Sequence, residues 1–153
     1  MDITIYTDGA AQGNPGRGGF GTILISGKHR KEISAGYRLT TNNRMELLAV
    51  IIGLEALKNE GSDVTIYSDS KYVVDSVEKK WLESWLKKGF GNKKNKDLWL
   101  RFHKSYIKHH IKFVWIKGHA NNKENEKCDQ LAVAAANSNK LFIDEVYENE
   151  INN

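Results

Sequence analysis

Four acids and a histidine have the types and spacing to do chemistry on a phosphodiester: Asp8, Glu46, Asp69 and Asp129, with His119. Asp8 closes the segment DITIYTD (2–8) and Asp69 closes DVTIYSD (63–69), and each aspartate is followed by a small residue. The shared polar–apolar alternation is a strand period. Both aspartates therefore fall at the C-terminal ends of strands, the edge at which open α/β sheets build their sites. Hard cations such as Mg²⁺ prefer carboxylate oxygens and keep several waters, so a few acids suffice to hold one. Two such ions about 3.5–4 Å apart activate a water and stabilise a leaving oxygen, which calls for a cluster of carboxylates. His119 titrates in the range suited to protonating a leaving group. Each residue also has a plainer account. Asp8 and Asp69 fit turn positions that end strands, and Glu46 fits the last position of a capping box, Asn43-x-x-Glu46. Asp129 fits a solvated helix face, and His119 an exposed loop, KGHANN. Spacing alone does not bring the four acids together.

The elements that must position these groups are legible as patterns. Beside Asp8 runs YTDGAAQGNPGRGGFG (6–21), with a formal G-x-G-x-x-G at Gly16, Gly18 and Gly21. A dinucleotide loop needs a strand before it and a helix after it. DITIY supplies the strand, but FGTILIS (20–26) is β-branched and apolar without helical spacing, and beyond the turn SGKH the segment KEISAGYRLT reads as another strand. The glycine loop therefore leads into a β-meander rather than a helix N-terminus able to hold a pyrophosphate. No G-K-[ST] follows it, which removes the phosphate-loop reading as well. Leu47, Val50, Ile51, Leu54 and Leu57 keep helical spacing, with Gly61 as the stop. Ser70 caps a second helix running through Val77, and 80–88 and 97–109 read as two more. IKFVWI (111–116) is a strand, and 124–137 a helix with Cys128, Leu131, Ala132 and Ala135 on one face. That order predicts an α/β fold, a mixed sheet with helices on its faces.

The 153 residues fit one domain with a sizeable core. The longest apolar run, Leu47 to Ile52, is far too short to span a membrane. A single cysteine, Cys128, allows no internal disulfide, and the N-terminus lacks a basic-then-apolar leader; both favour a cytoplasmic setting. The net charge of +4 is uneven: the last ten residues hold four acids and no Lys or Arg, leaving 23 basic residues against 15 acids in the body. The segment 79–96, KKWLESWLKKGFGNKKNK, sets seven lysines against Glu83 alone. Such a body suits a polyanionic partner, since lysines contact phosphates without reading sequence, although charge also serves solubility. Trp81, Trp85 and Phe90, interleaved with the lysines, either line a strand channel or pin a short helix to the core.

Taken together, YTDGAAQGNPGRGGFG, SAGYRLTTNNRMELLAV, YSDSKYV, NKDLW and VWIKGHANNKENEKCDQLA resemble the bacterial-type ribonucleases H of type 1, in family order and over nearly the whole chain to about residue 137. The resemblance implies a five-stranded mixed sheet of order 3-2-1-4-5, with strand 2 antiparallel to the rest and helices on both faces. It implies a catalytic domain over 1–140 that includes the basic protrusion at about 79–96; the acidic tail at 141–153 lies beyond the resemblance and either packs on the body, shields its basic surface or is disordered. The implied activity is endonucleolytic cleavage of the RNA strand of RNA/DNA hybrids by a two-metal-ion mechanism, with Mg²⁺ or, in its place, Mn²⁺, leaving 5′-phosphate and 3′-hydroxyl ends. The family's metal acids fall on Asp8, Glu46, Asp69 and Asp129, and its mobile histidine on His119.

The substrate contacts implied by the resemblance fall on Gly9, Gln12, Asn14, Asn42 and Asn43 toward the minor groove. There an A-like hybrid shows its 2′-hydroxyls, and asparagine offers both donors and acceptors. Thr41 and Asn95 match a DNA-phosphate pocket, although Leu39, beside Arg38, stands where an arginine is often found. Lys71, Trp81, Trp85, Lys87 and Lys88 complete the set, and a monomer is the expected state. Two other readings remain at this point. A transposase or integrase core would carry extra DNA-binding domains for which this chain has no room. A non-catalytic hybrid-binding module would have lost metal acids, and none is missing.

Overall fold

The computed structural model describes residues 2–117 and 122–152. The chain opens as a meander of three long strands, β1 (Asp2–Gln12), β2 (Gly16–Ser26) and β3 (His29–Thr40), followed by helix α1 (Asn42–Glu55) and strand β4 (Asp63–Ser68). Helices α2 (Lys71–Glu78), α3 (Trp81–Lys88) and α4 (Lys96–Tyr106) lead to strand β5 (His110–Trp115) and helix α5 (Lys123–Ala136). A two-residue strand β6 (Leu141–Phe142) and helix α6 (Glu145–Ile151) end the fold.

The sheet runs β5-β4-β1-β2-β3-β6. Its first five strands reproduce the expected order, with β2 antiparallel to β1 and β3 and the β1–β4 and β4–β5 pairs parallel. The sixth strand is an addition to that expectation: β6 pairs parallel with β3 at Gly36 and Tyr37. The C-terminal segment therefore packs on the body. Asp144, 8% exposed, turns inward just after β6, and Glu148 of α6 accepts two hydrogen bonds from Arg38.

The two faces of the sheet are covered differently. Helix α1 lies on one face, where Thr22 of β2 donates its hydroxyl hydrogen to the Ala49 carbonyl at 2.7 Å. From Arg44 to Ile51 this helix is buried all round, because α4 packs on its far side; an apolar circumference is what such a sandwiched helix requires. Helix α5 covers the opposite face through Cys128, Ala132 and Ala136.

This packing corrects the reading of the glycine-rich stretch. Only Gly13 to Pro15 form the turn; Gly18, Gly19 and Gly21 lie inside β2. A Cβ on Gly21 would sit 2.4 Å from the Cys128 carbonyl oxygen, and one on Gly19 2.4 Å from that of Ala132. These glycines let α5 settle onto the sheet backbone. Gly9 does the same for the first turn of α1, with a virtual Cβ 2.4 Å from the Glu46 nitrogen.

Other local readings shift as well. Thr41, not Asn43, caps α1, accepting the Arg44 N–H at 3.2 Å. This frees Glu46 from the capping-box account. Gly61 does not stop the helix, which ends at Glu55 with Ala56 as its cap; Gly61, at φ +79°, belongs to the turn before β4. Ser70 caps α2 as expected, accepting from the Val73 N–H. No helix among the described residues is long and apolar enough to cross a membrane.

Candidate active site

The two echoing segments are neighbours in register. Asp2 pairs with Asp63, Thr4 with Thr65 and Tyr6 with Tyr67, whose rings stack with centroids 4.7 Å apart. Two residues further along the chain come Asp8 and Asp69; Asp69 follows directly on β4, but Asp8 lies inside β1 rather than at its end, because pairing with β2 carries the strand on to Gln12. A parallel pair with this register sets the two carboxylates side by side, because strand side chains repeat every second residue. Glu46 arrives from the first turns of α1, over Gly9, where the missing side chain admits the helix backbone. Among the described residues, Asp8, Glu46 and Asp69 form a group in which each offers one carboxylate oxygen, the three lying within 4.8 Å of one another. Asp129 follows the buried Cys128 on α5. It stands outside that tight group, yet its charge still acts on Asp8.

The electrostatics are those of crowded, buried carboxylates that repel one another when ionised. Burial, then the charges of Asp69 and Asp129, push the Asp8 carboxyl up to about 8, against the pull of the Gly9 amide donating to its Oδ1 at 2.9 Å. Burial, then Asp8 and Asp69, hold Glu46 well above the usual carboxylate range. Buried polar atoms normally find partners; here Glu46 Oε1 and Asp69 Oδ1 have none among the described residues. Unpartnered carboxylate oxygens facing one another at this range match the donor set of a hard divalent cation, so the residues fit a metal. Below them, burial and the neighbouring Asp8 raise the Cys128 thiol above its ordinary value, so it stays a protonated packing group. His119 lies outside the described residues.

The remaining sequence-predicted residues fall on two surfaces flanking the acids. At the hairpin tip, Asn14 Oδ1 accepts the Asn42 N–H at 3.1 Å, tying the β1–β2 turn to the start of α1. Gln12 donates to Asn137 at the end of α5. On the other side, Asn43, Tyr72, Trp81, Trp85, Lys93, Lys94 and Asn95 line an open groove of about 560 Å³. Trp85 packs its ring against Phe90 and Trp99, pinning α3 to the core, while Trp81 is 43% exposed with the Lys79 ammonium 5.5 Å from its ring centre. Trp85 thus packs on the core and still lines the groove, while Trp81 stands more exposed on it. Lys87 pairs with Glu83 at 3.4 Å and Lys88 is exposed at the end of α3, whereas Lys71 begins α2 beside Asp69.

Sequence reasoning missed the group that ties these surfaces together. Arg44, 2% exposed, forms paired hydrogen bonds with Asp97 at 2.7 and 2.9 Å and with Asp144 at 2.7 and 2.9 Å, and a longer one to Asn95 Oδ1 at 3.3 Å. Burial alone would lower its pKa, but Asp97 and Asp144 outweigh that and raise it. Asn95, in the left-handed region at φ 66°, also donates to the Tyr72 hydroxyl. One sequence signal was present: Arg44 lies three residues before Leu47, the first member of the apolar stripe, and so on the same face of the helix.

Comparison with known proteins agrees with this geometry. The family model for RNase H matches residues 1–137. A ribonuclease H of Desulforamulus reducens is 55% identical over 94% of this chain and 92% of its own length, and one of Rippkaea orientalis 52% identical over 97% and 93%. Among solved structures, LC9-RNase H1, described as a type 1 RNase H with the type 2 active-site motif, superposes with a TM-score of 0.80 at 27% identity, covering 99% of this chain and 81% of its own. LC11-RNase H1 in complex with an RNA/DNA hybrid gives 0.62 at 27% identity, covering 88% and 96%.

Proposed function

The chain belongs to the ribonuclease H family, and from that premise we infer that it is an endonuclease that hydrolyses the RNA strand of RNA/DNA hybrids, with divalent cations held by Asp8, Glu46, Asp69 and Asp129. The observation that carries this reading is the meeting of Asp8 from within β1, Asp69 just past β4 and Glu46 of α1, each with a carboxylate oxygen within 4.8 Å of the others', Glu46 Oε1 and Asp69 Oδ1 being unpartnered among the described residues. Bound there, two Mg²⁺ ions, or Mn²⁺ in their place, would supply an activated water and neutralise the leaving 3′-oxygen, giving 5′-phosphate and 3′-hydroxyl ends.

The chain's own residues do the rest. Burial and the neighbouring acids raise the Asp8 and Glu46 carboxyls, and a bound cation would offset that repulsion, so loading of the site sets its charge state. Asp129 completes the ligand set from α5. His119 moves a proton to the leaving group and assists product release. Gly9, Gln12, Asn14, Asn42 and Asn43 meet the minor groove, where 2′-hydroxyls mark the RNA strand; Gln12 exchanges its Asn137 partner to do so. Thr41 and Asn95 hold a DNA phosphate, and Lys71, Trp81, Trp85, Lys87 and Lys88 follow the DNA backbone. The tether from Asp144 through Arg44 to Asn95 supports this phosphate pocket despite Leu39. The protein acts as a cytoplasmic monomer, with residues 1–140 as its catalytic domain and the C-terminal segment packed on it through β6 and Asp144.

The test is incubation with Mg²⁺ and labelled RNA/DNA, RNA/RNA and DNA/DNA duplexes. Cleavage confined to the RNA of the hybrid is expected, and cutting of DNA would overturn the reading. Asp69→Asn should abolish that cleavage while hybrid binding persists; a retained wild-type rate would remove Asp69 from its role.

A further inference from the structure

Trp115 ends β5, paired in register with Ser68 at the end of β4, and its large indole is 42% exposed beside the acidic cluster. Two specific contacts hold it there. The indole N–H donates to the main-chain carbonyl of Asp69 at 3.3 Å, and the Lys71 ammonium lies 4.8 Å from the ring centroid. Asp69, Ser70 and Lys71 form the turn that leads from the end of β4 into α2, with Ser70 as its cap. Trp115 therefore grips this turn twice, at the backbone of Asp69 and at the side chain of Lys71.

An unrestrained ammonium at this place would be drawn toward Asp69 and Asp8 by opposite charge. Among the described residues Lys71 makes no ion pair; its partner is the indole face. A lysine already held in one arrangement also loses less rotamer freedom when a ligand arrives.

We propose that Trp115 is a positioning residue for the hybrid: its indole holds the Lys71 ammonium at the lip of the site, away from the carboxylates, so that it is presented to a backbone phosphate. This rests on the reading that Lys71 meets the substrate. The experiment measures hybrid Kd by fluorescence anisotropy in EDTA, with melting temperatures, for Lys71→Met, Trp115→Leu, the double variant and Trp115→Phe. Each of the first two should weaken binding about three- to fivefold, the scale of an exposed cation–π contact. The double variant should be no weaker than the weaker-binding single, because both remove one interaction. Trp115→Phe, which keeps an aromatic face, should recover most of the loss, and KM should rise with Kd more than kcat falls. Effects that multiply in the double variant, or a Trp115→Leu protein that melts earlier with unchanged Kd, would overturn the proposal. An unchanged Kd in Lys71→Met would instead remove the underlying reading of Lys71, and the proposal with it.

Discussion

Replacing Asp8 by asparagine should remove catalysis and, at the same time, stabilise the metal-free protein at alkaline pH. The Asp8 carboxyl rises from 3.8 to about 8 through burial and the charges of Asp69 and Asp129. A folded-state pKa raised above the unfolded value means that the native state holds its proton longer. That contribution to stability is full below about pH 4 and is lost as pH climbs through about 8. For one isolated site with these two values, the loss between about pH 5 and about pH 8 is at most about 4 kcal/mol. Glu46, also raised, titrates against the same neighbours, so removing one charge of the cluster recovers only part of this, roughly 1–2 kcal/mol. At about 2–4 °C per kcal/mol for a domain of this size, the variant should melt roughly 2–8 °C higher at the alkaline end. Asparagine is the informative replacement because its oxygen still accepts the Gly9 amide that Asp8 Oδ1 accepts at 2.9 Å, so the charge changes and the bond does not. The assay is calorimetric melting of both proteins in EDTA across that pH window, repeated with millimolar Mg²⁺. The gap between them should widen with pH, and Mg²⁺ should raise the wild-type melting temperature more than that of the variant. A gap that is constant across pH, or a metal-free wild type more stable at the alkaline end, would refute the reasoning.

Three further outcomes are expected. Alanine at Lys87, Lys88, Lys93 and Lys94 should weaken hybrid binding, and the slope of log K against log salt should flatten by about 0.9 for each phosphate that is no longer neutralised; an unchanged slope in binding titrations would make these lysines merely solvated. Asp144→Ala leaves Arg44 with Asp97 as its remaining carboxylate partner. Breaking a buried pair costs about 3–5 kcal/mol, and the surviving partner keeps the loss at the lower end, about 3 kcal/mol, readable in denaturant unfolding. Gly21→Ala sets a methyl 2.4 Å from the Cys128 carbonyl oxygen, so the overpacking should cost about 1–3 kcal/mol. It should also lower kcat by displacing the helix that carries Asp129, and an unchanged activity and melting temperature would show that α5 yields freely.

The sequence by itself determined the first five strands and the helices up to α5, because hydrophobic period is a local signal; β6 and α6 went unread, and pairing with β2 carries β1 past Asp8 to Gln12. The echo between DITIYTD and DVTIYSD pointed to two strands in equivalent environments, and the structure sets them in register, from Asp2 with Asp63 to Tyr6 with Tyr67. Local pattern could not say which helix the glycines make room for. Gly9, Gly19 and Gly21 answer to carbonyls and amides of α1 and α5 that lie far away along the chain. Nor could it assign Glu46, whose capping-box pattern was sound until Thr41 took the cap. The Arg44 network was the least legible feature, since a buried guanidinium is tolerable only when distant carboxylates arrive to pair with it. Asp97 comes from α4 and Asp144 from the segment after β6. Long-range packing alone decides whether an arginine in a helix faces water or becomes the knot that ties a C-terminal segment to a binding surface.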